Sequence, residues 1–168
     1  MSTSTLGTHE ALEDGTHVLR YERRLAHPVD RVWRAVTEPS ELVGWWAEAD
    51  IDLRAGGPVQ FRWRNNDGPV VSGTVVRVDA PWLVEYDTDV HGLLRFELEP
   101  DGDAATILRF TVHRSSEKLD LVLPGWHVHL EHLDAALDGD PVDWPRWDTD
   151  HRPRWEALRA EYEDVHAP

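Results

Sequence analysis

The sequence predicts an α+β domain in which a curved antiparallel sheet of about seven strands wraps around a long C-terminal helix, with two short helices inserted after strand one. Three observations carry this reading. The stretch HPVDRVWRAVTEPSELVGWW, from His27 to Trp46, reads as two short helices, each opened by a proline, and ends on adjacent tryptophans. Between Ile51 and Val112 short alternating apolar segments are separated by Gly-, Asn- and Asp-rich turns. Trp126, Leu130, Leu133 and Leu137 then recur at helical spacing and form one apolar stripe.

The elements follow in order. Strand one is expected at Val18–Ala26. Pro28 suits the first turn of a helix, where its missing N–H is no loss, and Val29, Val32, Trp33 and Val36 line one side of that helix. Pro39 starts a second helix, with Leu42, Trp45 and Trp46 as its buried residues. Ile51–Arg54 is read as a strand leading to the turn Ala55-Gly56-Gly57. Val59, Phe61 and Trp63 alternate with Gln60, Arg62 and Arg64, the pattern of a half-buried antiparallel strand. Asn65-Asn66-Asp67-Gly68 is a hairpin turn signal. The meander continues through Val70–Val78, Leu83–Thr88, Leu94–Leu98 and Thr106–Val112, with His91-Gly92 and Asp101-Gly102-Asp103 as interruptions.

Pro124 is read as the opening of the last major helix and Gly139 as its C-terminal cap. Its apolar stripe must lie on something apolar, and the concave face of the sheet is the large candidate. Residues 1–15 are polar and poor in bulky side chains and are expected to lack structure, which places the domain at 16–139. Residues 140–168 form a Trp-rich tail with a final helix at Arg154–His166.

Composition narrows the function classes. A chain of 168 residues fits one domain that folds on its own core. It contains no cysteine, which excludes thiol catalysis, thiolate metal sites and disulfides, and a reducing cytoplasm is the simplest home. No apolar run approaches the roughly 20 residues that cross a membrane, and the N-terminus lacks the basic and apolar regions of a signal peptide. The formal net charge of −15 repels phosphate backbones and anionic lipid, so neither nucleic acid nor membrane insertion is expected. Nine tryptophans are the compositional outlier and point to a cavity, an interface or a Trp-rich core.

Taken together, several motifs resemble those of a known superfamily. They are Pro28-Val29-Asp30-Arg31-Val32-Trp33, Glu38-Pro39-Ser40-Glu41-Leu42 through Trp45-Trp46, Gly56-Gly57, Gly73-Thr74-Val75, Phe96-Glu97-Leu98-Glu99-Pro100 and Gly125-Trp126-His127. Their order over Val18 to Leu137 is similar to that of the START-like, helix-grip or SRPBCC proteins, whose fold the major birch-pollen allergen shares. Within them the chain most resembles the family named for the C-terminal domain of the activator of the heat-shock-protein ATPase. The resemblance implies a hydrophobic cavity between sheet and long helix, and no particular activity, because the fold hosts carriers, receptors, cyclases, dehydratases and co-chaperone domains. A threonine–histidine pair often ends the last strand in the family. Here Val112 stands at the histidine's place and His113 is one residue on, which turns it to the other face.

The expected function is binding of an apolar small molecule in that cavity, with no evident catalysis. Its lining is expected to include Trp46, Phe61, Trp63, Tyr86, Phe96, Leu108 and Phe110 from the sheet side, and Trp126, His127, Leu130 and Leu133 from the helix. His127 would sit at the mouth as a hydrogen-bond donor or weak base. His129 and His132, at i and i+3, could share a helix face but show no third convergent ligand for zinc, and the cluster His127, His129 and His132 reads as solvated helix residues, so neither metal nor cofactor is expected. The alternatives are a protein-interaction or co-chaperone-like module in a stress pathway, and a cyclase- or dehydratase-type enzyme using Tyr86 or His127. Trp144, Trp147 and Trp155 in the tail suggest a homodimer or another protein partner, or a cover for the sheet's convex face.

Overall fold

The computed structural model describes residues 5–65 and 67–166. Eight antiparallel strands form one sheet in the order β1-β2-β8-β7-β6-β5-β4-β3. These are β1 (Thr8–Ala11), β2 (His17–Leu25), β3 (Ala47–Ile51), β4 (Pro58–Trp63), β5 (Val71–Asp79), β6 (Leu83–Thr88), β7 (Gly92–Pro100) and β8 (Thr106–Arg114). Helices α1 (Val29–Thr37) and α2 (Pro39–Leu42) follow β2, and α3 (Leu119–Leu137) is the long helix. A 3-10 turn at Trp144–Arg146, α4 (Trp147–Asp150) and α5 (Arg152–His166) form the tail.

The alternation in the sequence sets the inner face of the sheet. Val59 and Phe61 of β4, Leu94, Phe96 and Leu98 of β7, and Leu108, Phe110 and Val112 of β8 are all buried. In β5 the register shifts between Val75 and Arg77. That irregularity leaves Val75 inside and Val76 half exposed, and bulges of this kind bend a strand. His113 lies off the core face and meets the Thr16 hydroxyl at 2.8 Å, as the shifted parity implied.

Four expectations are corrected. The sheet has eight strands, because residues 8–11 of the segment expected to be unstructured pair with β2. That strand is short and polar, and its anchor is remote: the Gly7 N–H donates to the Tyr162 hydroxyl at 2.7 Å. Residues 1–4 of the same expectation, and Asn66 of the expected hairpin turn, lie outside the described residues. The strand expected at Ile51–Arg54 is instead Ala47–Ile51, since β3 pairs with β4 directly after the second helix and turns at Asp52. The long helix starts at Leu119, not at Pro124. Pro124 removes one ladder bond, to the carbonyl of exposed Asp120, where solvent can satisfy it. Finally, His127, His129 and His132 are buried at 0%, 2% and 4% exposure rather than solvated.

The tail explains that burial. It folds back over the outer side of α3, and does not cover the convex face of the sheet. The Trp147 indole N–H donates to His132 Nε2 at 3.0 Å, and the Trp144 indole N–H donates to the Val43 carbonyl at 2.6 Å. Arg154 clasps both carboxylate oxygens of Glu131, with Nη2 at 2.8 Å and Nε at 3.0 and 3.1 Å. Leu158 and Tyr162 of α5 are buried against α3. Helix α3 is therefore covered on two sides, by the sheet and by the tail. No helix among the described residues is long and apolar enough to cross a membrane.

Candidate functional site

Between the middle of the sheet and α3 the space is filled by rings. Trp46 stacks on Phe61 with centroids 4.3 Å apart, and Phe96 stacks on Phe110 at 4.5 Å. Trp126 meets Phe110 and Trp46 edge-on at 5.0 and 5.3 Å. Tyr86 belongs to the same packing, and its hydroxyl donates to the Val36 carbonyl at 2.9 Å. Burial pushes its phenol well above the usual range, so the group is neutral and committed to structure. Leu108, Leu130 and Leu133 are fully buried in the same cluster.

The room lies at one end of this packing. A cleft of about 340 Å³ opens where β4 stops at Trp63, beside the β6–β7 turn and the first half of α3. Trp63 and Val71 contribute from the strands, Val90 and His91 from the turn, and Trp147, Arg152 and Trp155 from the tail. Helix α3 presents Val122, Gly125 and His129, at i, i+3 and i+7, together with Trp126 and Val128. Gly68, Pro69, Val90, Leu121 and Arg152 form the exposed rim, whereas Val71, Trp126, Val128, His129 and Trp147 are buried.

The residues predicted for a cavity thus separate. Trp63 and Trp126 line the cleft. Trp46, Phe61, Tyr86, Phe96, Leu108, Phe110, Leu130 and Leu133 lie behind it, in the packed core. His127 projects from another side of α3, beneath the tail. Its Nδ1 is 2.8 Å from the Tyr162 hydroxyl and its Nε2 is 3.5 Å from Glu131. Sequence reasoning missed His91 and His129. The signal for His129 was the stripe Val122, Gly125, His129, hidden because it runs beside a stronger apolar stripe.

Two imidazoles give the cleft its polarity. His91 Nε2 accepts the Trp63 indole N–H at 2.8 Å, which puts the proton of the neutral ring on Nδ1. His129 Nδ1 donates to the Gly125 carbonyl one turn back, at 2.8 Å. That bond leaves Nε2 as a bare acceptor, and it is buried without a hydrogen-bond partner. Burial lowers His91 to about 4, helped by the nearby Arg114 charge. Burial also lowers His129 to about 4, against the opposing pull of the Gly125 carbonyl. Both rings are neutral at pH 7. Arg152 at the rim is engaged by Asp148, with Nε at 2.9 Å and Nη2 at 2.5 Å from one carboxylate oxygen. Among the described residues no three histidines or carboxylates converge to hold a metal.

This geometry can hold an uncharged, largely apolar molecule against aromatic walls. The scaffold has known parallels. A conserved protein of unknown function from Enterococcus faecalis, EF2215, superposes with a TM-score of 0.75 at 19% identity, covering 96% of this chain and 92% of its own. The solution structure of CalU16 from Micromonospora echinospora gives 0.71 at 24% identity, covering 99% and 96%. DynU16, a protein of the dynemicin biosynthetic locus, gives 0.62 at 21% identity, covering 74% of this chain and 48% of its own. At these identities the likeness is one of fold. No curated protein matches the chain. Residues 26–138, two short helices through long helix, match the family described as "Activator of Hsp90 ATPase homolog 1-like protein". On that match the chain belongs to the activator of Hsp90 ATPase homolog 1-like family, carried on a helix-grip scaffold.

Proposed function

We propose that this chain is a binding protein for a hydrophobic small molecule, held in the cleft between the end of the sheet and α3. The observation that carries the reading is the cleft itself: about 340 Å³, walled by Trp63, Trp126 and Trp155 beside the packed rings of the core. That volume is at the lower end of small-molecule sites. Binding is favoured over catalysis because imidazoles lowered to about 4 are weak bases at neutral pH. The net charge of −15 disfavours anionic ligands. The position of DynU16 in a biosynthetic locus fits a role on this fold in handling a small metabolite.

Gly125 supplies the test. A Cβ added there meets nothing within 4 Å, so Gly125→Leu places an isobutyl group in the cleft without a backbone clash. Nile red titrated into the wild-type chain is expected to bind saturably, with a change in tryptophan fluorescence. Gly125→Leu is expected to weaken that binding by more than about tenfold while the thermal transition is kept. Absence of saturable binding by neutral lipophilic probes, or equal binding by the variant, would remove the cleft as the site.

A further inference from the structure

Resting on that binding reading, we infer that the cleft selects an uncharged planar aromatic molecule carrying a hydroxyl or N–H group, and that His129 Nε2 is the acceptor that fixes its orientation. The wall that holds His129 is otherwise apolar, with Val122, Val128 and Trp126 beside it on α3 and Val71 opposite from β5. The His129 ring is fixed by the Nδ1–H bond to Gly125 and by the edge-on contact of Trp63, with centroids 4.7 Å apart. Its remaining nitrogen has a lone pair, is buried and has no partner. A buried acceptor in that state is a standing penalty, and a bound donor relieves it once the cleft wall gives enough to admit the donor atom to Nε2, which is closed off in the unliganded chain. A pure hydrocarbon leaves the penalty in place. An anion brings negative charge against a lone pair, and the guanidinium of Arg152 at the rim is already paired with Asp148. The indole walls favour a flat partner, because rings stack or meet edge-on at little conformational cost.

Two probes of almost the same shape separate these alternatives. 2-Naphthol carries the donor, and 2-methoxynaphthalene has it capped. Calorimetric titration of the full chain at pH 7 is expected to show 2-naphthol binding about tenfold or more tighter, the effect of one buried hydrogen bond. In ¹⁵N-histidine-labelled protein the His129 Nε2 resonance is expected to move upfield with 2-naphthol and to stay with the ether. His129→Phe keeps a flat ring without the acceptor, and is expected to bind both probes alike. Equal wild-type affinities, an unmoved Nε2 resonance, or a preference that survives in His129→Phe would each overturn the assignment to His129 and leave the binding reading standing. Failure of both probes to bind would overturn the binding reading and this inference together. Should His129→Phe fail to fold, the probe pair and the nitrogen resonance in the wild-type chain still decide.

Discussion

Gly92 and Gly125 flank the two histidines of the cleft, and an added methyl group does opposite things at the two positions. Gly92 takes φ +75, and a Cβ there would stand 2.1 Å from the His113 carbonyl oxygen. Both the backbone conformation and the space exclude a side chain, because the clash is with the backbone of β8 rather than with a flexible group. Gly92→Ala is expected to cost more than about 2 kcal/mol in urea denaturation. It should also loosen His91, the preceding residue. A variant as stable as the parent would mean that β7 and β8 can separate locally without penalty. Gly125 sits inside α3 with open space where its Cβ would be. Gly125→Ala is therefore expected to gain about 0.5–1 kcal/mol by the same measurement, through lower chain entropy in the unfolded state. The pair shows where reading a sequence stops. His91-Gly92 was legible as a break in the meander, but only the register of β7 against β8 shows why that break has to be glycine.

At the scale of elements, α3 decides how the protein responds to acid. His127, His129 and His132 lie on this one helix, and burial is the largest cause of the lowering in each: to about 4 for His127 and His129, and to about 2 for His132. Around His127 the Arg23 and Arg154 charges lower it further and Glu131 opposes them; around His132 the other histidines, His129 and His151, act in the lowering direction. A folded value below the unfolded value of about 6.5 means that the unfolded chain takes up protons first as pH falls. The stabilisation is thus complete above about pH 6.5 and is lost progressively below it, toward the folded values. By pH 5 the loss at each of these imidazoles is on the order of 2 kcal/mol relative to neutral pH, a large fraction of the stability of an ordinary domain. The melting temperature is expected to fall steeply between pH 6.5 and 5, and His129→Phe to flatten the fall. A constant melting temperature over that window would show that these rings are protonated in the folded state. The sequence made the strands legible because each had one wet face and one dry face. It made α3 half legible. The stripe toward the sheet was plain, but the histidines on its other sides looked solvated because their cover comes from Trp147 and Tyr162, far along the chain. The cleft was the least legible part, since it lies where the alternation ends and not where it is strongest.

At the scale of the whole molecule the dominant fact is charge. The chain carries 32 acidic residues against 17 basic ones, a net charge of −15. Opposing this self-repulsion are short surface pairs, such as Arg109 with Glu99 at 2.6 Å and with Glu22 at 3.2 Å, or Arg20 with Glu10 at 2.9 Å. Salt screens both, but over different ranges. Charges spread over the surface are separated by distances comparable to the screening length, about 10 Å at 0.1 M, and are strongly damped by added ions. Exposed pairs in contact contribute at most about 1 kcal/mol each and lose only part of that. The repulsive sum, which grows with net charge, is the larger loss. Adding sodium chloride from about 10 mM to about 0.5 M at pH 7.5 is therefore expected to raise the melting temperature by several degrees, about 1–2 kcal/mol of stability for a chain of this length. The same titration in the presence of a neutral aromatic probe should leave its dissociation constant nearly unchanged, because no charge is exchanged at the cleft. A melting temperature that falls with salt would put the balance on the other side, with the Arg109 and Arg154 clusters outweighing the field of the excess carboxylates. In that case, neutralising Arg154, which joins the tail to Glu131 of α3, should cost more than any change in net charge recovers.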